Sequence, residues 1–99
     1  MDVERLRADL AANTKAGIVA IMHEPLFSSK GGDDDHVDFW QPLYDAGADI
    51  VLSGHRHNYE RFAQQNADGG AEPGRGIRQF VVGTGGSSLS TFDSGIAPN

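Results

Sequence analysis

Apolar and polar positions change period several times along the chain, and each change marks an element. Val3, Leu6 and Leu10 recur at helical spacing, and Asp2 and Glu4 suit the N-terminal end, so a helix is predicted over Asp2 to Asn13. Gly17 then opens Ile18-Val19-Ala20-Ile21-Met22, an unbroken apolar run rich in β-branched residues, which predicts a buried strand. The run stops at His23-Glu24-Pro25, because Pro cannot continue a central ladder. Phe27 to Asp35 is polar and loop-like. A second helix is predicted over Asp38 to Ala46, with Phe39, Trp40, Leu43 and Tyr44 as its apolar face, Pro42 near its first turn and Gly47 as its stop.

Asp49 to Ser53 reads as a second buried strand and Tyr59 to Ala63 as a third, half-exposed one. Gln64 to Gly76 is polar and Gly-rich, hence a turn or loop. Ile77 to Val82 alternates, with Ile77, Gln79 and Val81 facing opposite to Arg78, Phe80 and Val82. The order is α-β-α-β-β-β. Such alternation predicts an α/β fold: a mixed, partly parallel β-sheet with flanking helices.

With 99 residues the chain makes one small domain at most, and no internal repeat is visible. Hydrophobic residues make up 38% and charged residues 22%, which is ordinary folded composition. No apolar run approaches the roughly 20 residues that span a bilayer, and no basic-then-apolar leader follows Met1. Net charge is −6 and the eight Lys and Arg are scattered, so nucleic acid is not an expected partner, and without a spanning run neither is a membrane. Bound divalent ions can still reverse the local potential of an acidic protein and let it take a phosphorylated substrate. The absence of Cys removes disulfides, thiolate chemistry and Cys-based zinc fingers. Any metal must then be held by His, Asp, Glu or backbone oxygen.

His23 follows one predicted strand, and His55 and His57 follow another, in Ser53-Gly54-His55-Arg56-His57. Strand ends are where α/β sheets place their sites, and parallel neighbours bring both ends to one edge. Imidazole is the commonest neutral metal ligand. Two His separated by one residue can turn to the same side in extended backbone, with Gly54 permitting a tight turn. A single His at a surface is most simply a surface residue. Three at two strand ends form a cluster, and clustering is a functional signal.

The stretch Gly54-His55-Arg56-His57-Asn58-Tyr59-Glu60-Arg61 resembles the GHxHxYER segment of the calcineurin-like metallophosphoesterases, in their purple-acid-phosphatase-like branch. Met22-His23-Glu24-Pro25-Leu26-Phe27-Ser28-Ser29 resembles the strand-HxP segment of that family. Tyr44 to Gly54 is similar to the helix and strand leading into GHxH, and Phe80 to Gly86 to the strand and Gly turn that follow. The resemblance implies a sandwich of two mixed sheets flanked by helices, with two metal ions (Fe, Zn or Mn) bridged by an oxygen ligand. It implies His23 and His55 on one metal and His57 on the other, acting on a phosphate ester with no protein nucleophile. The family's early Asp motif, its bridging Asp and its GNH segment have no counterpart here. Residues 1–99 therefore resemble the C-terminal portion of a catalytic domain, without the family's N-terminal half and its last strands. The missing N-terminal half, or a partner chain, would complete the site. Many members of that branch are exported.

His36 lies in the loop where the family often places a substrate-facing His, and the resemblance casts it as orienting phosphate or protonating the leaving group. Asp33-Asp34-Asp35 reads as a solvated loop, with weak binding of a hard cation as its alternative. Arg56 is expected to face solvent, Tyr59 to pack, and Glu60 and Arg61 to pair and brace the loop. Ser28 and Ser29 lack a G-x-S-x-G context, and the Gly83 to Gly86 turn lacks the GK[ST] of a P-loop. The expected function is metal-dependent hydrolysis of phosphate esters in the parent domain. The alternative is an inactive fragment that binds metal or a partner.

Overall fold

The computed structural model describes residues 3–13, 17–28, 37–86 and 88. Its elements run α1 (Val3–Ala12), β1 (Val19–Met22), α2 (Val37–Asp45), β2 (Ile50–Ser53), β3 (Tyr59–Arg61) and β4 (Arg78–Val82). This is the predicted order. The four strands form one sheet in the order β1-β2-β4-β3, parallel except for the antiparallel β3–β4 pair. The prediction of an α/β fold with a mixed sheet therefore holds.

Helix α2 shows why these residues fold as they do. Trp40 and Leu43 are buried on one face, with Tyr44 half-buried beside them. Pro42 lies inside the helix, beyond the first turn where it was expected. An interior Pro costs about 3 kcal/mol through its lost N–H and ring clash. Burying Trp40 and Leu43 contributes about 1.5–3 kcal/mol each, which offsets that cost. The helix ends as predicted at Gly47, whose φ of 77° suits a residue without Cβ. The Gly47 N–H donates to the Tyr44 carbonyl and the Ala48 N–H to the Leu43 carbonyl, the pair of bonds of a Schellman motif.

Neighbouring strands in register send side chains to the same face. Ala20, Val51 and Gln79 lie in one row, and Met22, Ser53 and Val81 in the next. This face carries the core: Trp40, Leu43, Ala48, Val51, Ile77 and Leu26, with Leu6 and Leu10 of α1 packed against it. The Tyr44 hydroxyl donates to Glu72 Oε2 at 2.6 Å, and the Arg75 guanidinium lies 4.5 Å from the centre of the Tyr44 ring. These contacts fasten the 64–77 loop to α2.

The opposite face departs from expectation. Val19 is 57% exposed and Ile21 80%, and Tyr59 and Val82 are about half exposed on the same side. β1 was predicted to be a buried strand and is instead an edge strand with one bare face. Among the described residues, both helices lie on the other side of the sheet, and none covers this one. A parallel sheet ordinarily has both faces covered. No described helix is long and apolar enough to cross a membrane.

Candidate metal centre

β1 and β2 run parallel, with Met22 opposite Ser53, so both chains leave the sheet at one edge. The Gly54 N–H donates to the His23 carbonyl at 2.9 Å and extends the pairing one residue beyond the strands. His23, His55 and His57 thereby line one open depression of about 450 Å³, together with Val82, Gly83 and Gly85 from the end of β4. The expectation that parallel strand ends gather the three His is met.

The backbone that presents His55 and His57 is not extended, as had been expected. The Arg56 N–H donates to the Gly54 carbonyl at 2.7 Å, and the Asn58 N–H to the Arg56 carbonyl at 2.9 Å. Each bond closes a three-residue turn, the first with His55 at its apex and the second with His57. His55 has φ of 65°, whereas Gly54, predicted to make the turn, is absent from the positive-φ glycines. A γ-turn with positive φ is rare and strained, though His enters the left-handed region more readily than most residues. Inverting φ reverses the side from which a side chain leaves such a turn, so the turn at His55 sets the direction in which its Cα–Cβ bond leaves the backbone. Backbone strain of this kind concentrates at functional sites.

The rings of His23 and His55 meet edge to face at 73°, with Nδ1 of His55 and Nε2 of His23 3.1 Å apart. Two imidazole nitrogens about 2.0–2.1 Å from one ion stand roughly 2.8–3.4 Å apart for angles between about 90° and 109°. The pair therefore fits two adjacent positions of one ion. The same distance also fits a hydrogen bond between neutral rings. Among the described residues, no three His, Asp or Glu side chains converge as a metal-holding group. His57 shares the depression without joining the pair at one point. Two imidazoles leave the remaining positions of an ion to be filled by other ligands.

The loops are held from beneath. The Gly83 N–H donates to the Asn58 carbonyl, and a Cβ on Gly83 would stand 1.7 Å from the Arg56 carbonyl oxygen. Only glycine lets the two backbones approach so closely. Asn58 is buried, and its Nδ2 donates to Glu60 Oε2 at 3.3 Å. Ser28 Oγ donates to the same oxygen at 3.3 Å, so one carboxylate joins the loop after His23 to the loop of His57. Glu60 thus braces the site, although Arg61, the next residue of β3, points to the opposite face.

Arg56 is half-buried and not simply solvent-facing, and Tyr59 is exposed and not packed. The Gly turn after β4 does border the site, but the Gly83 N–H is taken up by Asn58. His36, Ser29 and Asp33-Asp34-Asp35 lie outside the described residues. Sequence reading passed over Asn58 and Gln79 as functional positions. Gln79 left a signal, a polar residue alternating with Ile77 and Val81 on an apolar face. Asn58 left none, since its burial depends on Gly83 arriving from a distant strand.

A comparison with models of known protein families and with curated proteins finds no match for this chain.

Proposed function

We propose that the chain carries the His-rich half of a binuclear metal centre that hydrolyses phosphate esters. One observation carries the reading: His23 Nε2 and His55 Nδ1, from two different strand ends, lie 3.1 Å apart, with His57 in the same depression. His23 and His55 would hold one ion and His57 the other. With metal held by these residues, the centre would supply charge to hold an ester phosphate and to activate a water for in-line attack. The chain's own contribution is placement. β1 and β2 bring two imidazoles together, the strained turn sets the direction in which the His55 side chain leaves the backbone, and Gly83 allows the loop to sit low over the sheet. The metals would be Fe, Zn or Mn: imidazole suits Fe and Zn, and the carboxylates of the second layer would suit Mn. His36, by the same resemblance, would face the substrate.

The sandwich of two sheets belongs to this reading. Its second layer, from the N-terminal half of the domain or from a partner chain, would cover Val19 and Ile21 and supply the carboxylates. That bare face also favours a second reading, in which the chain binds a partner without being a catalyst. Large exposed apolar faces mark interaction sites.

Elemental analysis after dialysis against Zn or Mn separates the two. One or two ions per chain, lost in His55→Ala and kept in His36→Ala, is the expected result. Retention should also weaken in acid, because protons compete for imidazole nitrogen. A folded chain that holds no metal would mean that the centre forms only in the intact domain and that this chain by itself is a fragment, not a catalyst. Hydrolysis of p-nitrophenyl phosphate, by the chain alone or after a partner is added, then tests the reaction.

A further inference from the structure

Gln79 sits where an apolar residue belongs. It is fully buried in β4, between Ile77 and Val81 on the core face, and both of these are fully buried as well. A carboxamide buried without partners costs about 1–3 kcal/mol, so its hydrogen bonds decide whether the position is tolerable. Both ends are engaged by a single residue. The Phe27 N–H donates to Gln79 Oε1 at 3.1 Å, and Gln79 Nε2 donates to the Phe27 carbonyl at 2.5 Å. An adjacent strand exchanges the same two bonds with its partner residue. The side chain of Gln79 thus substitutes for a strand and reaches a residue 52 positions earlier in the chain.

Phe27 closes the loop that begins at His23. That loop is pinned at its start by the bond from the Gly54 N–H to the His23 carbonyl. Gln79 pins it at the other end. Between the two pins Pro25 and Leu26 are buried, and the Phe27 ring packs edge to face on Trp40 at 5.1 Å. With both ends fixed, the His23 ring keeps only its own side-chain rotations with which to meet His55.

We propose that Gln79 is a positioning residue for His23, acting through the backbone of Phe27. Its meaning for catalysis rests on His23 being a metal ligand, but its effect on ring position does not. A methionine at 79 fills nearly the same volume and leaves the Phe27 N–H and carbonyl unpaired. Gln79 therefore contributes to the geometry of a site whose residues it does not touch.

The test compares wild type with Gln79→Met, both free of metal, by NMR. In wild type the Phe27 amide and the Gln79 carboxamide protons should exchange at least about tenfold more slowly than exposed amides. A cross-peak should connect the rings of His23 and His55. In Gln79→Met the fold should persist by circular dichroism while Phe27 loses roughly tenfold in protection and the ring cross-peak disappears. Zn affinity should fall about 10–100-fold, as it does when a residue that orients a ligand is removed. A cross-peak that survives the substitution overturns the proposal. If Gln79→Met does not fold, the wild-type exchange rates decide, and fast exchange at Gln79 overturns it. Wild type that binds no Zn while the cross-peak still depends on Gln79 refutes metal binding by this chain alone and leaves the positioning role intact.

Discussion

Gly83, at the end of β4, lies so close beneath Arg56 that its missing Cβ would stand 1.7 Å from the Arg56 carbonyl oxygen. No side-chain rotation relieves that approach, since both surfaces are backbone. Gly83→Ala should therefore lift the turns of His55 and His57 from the sheet. The expected cost is about 3 kcal/mol, the upper part of the range for overpacking. Urea denaturation measures it. A loss below about 0.5 kcal/mol would mean that the loop is not seated on Gly83 in solution.

His55 separates two effects that a single substitution confounds. Its φ of 65° strains any residue with a Cβ, while its ring meets His23. Alanine keeps the strain and removes the ring, whereas glycine removes both. His55→Gly should be more stable than His55→Ala by about 1 kcal/mol, set by the steric cost of left-handed backbone and reduced by glycine's extra freedom when unfolded. Neither should retain metal. Equal thermal midpoints for the two variants would contradict the left-handed turn.

The hydrogen bond that Tyr44 donates to Glu72 Oε2, helped by desolvation and by the Glu72 charge, raises the Tyr44 pKa above its ordinary 10.0. The raised value has a definite sign for stability. The folded chain holds the phenolic proton more tightly than the unfolded chain does. This contribution is present in full below pH 10.0 and is lost as pH rises through the folded value. Tyr44→Phe should lower the thermal midpoint at pH 8 and flatten its decline above pH 10. An unchanged alkaline decline in the variant would place Tyr44 outside the titration.

Much of this was legible in the sequence because the signals are local. The β-branched run at Val19–Met22, the 3–4 spacing of Trp40, Leu43 and Tyr44, and Gly47 each act within a few residues of themselves. The gathering of His23 with His55 was legible too, since parallel strands with the same end bring their following residues together. What escaped prediction depends on pairs far apart in sequence. The turn at His55 is fixed by Gly83 beneath Arg56, and the loop after His23 is fixed by Gln79, 52 residues beyond Phe27. Nothing near His55 marks it as left-handed, and the adjacent Gly54 points to the wrong residue. The bareness of Val19 and Ile21 was equally hidden, because an apolar run gives the composition of a strand and not what covers it.

That bare face allows a direct test of which side of the sheet is core. Ile21 and Val51 are both β-branched residues of neighbouring parallel strands, but they point to opposite faces. Ile21 is 80% exposed and Val51 is fully buried. Val51→Ala should cost about 2 kcal/mol through lost apolar burial and the cavity left behind. Ile21→Lys should change stability by less than about 0.5 kcal/mol, as for an ordinary surface position. It should also reduce any self-association, because a charge on an edge strand opposes pairing with another chain. Sedimentation of wild type and Ile21→Lys at the same concentration reads the second effect. If Ile21→Lys costs as much as Val51→Ala, the face is covered in solution, and the isolated chain already finds the layer that its parallel sheet requires.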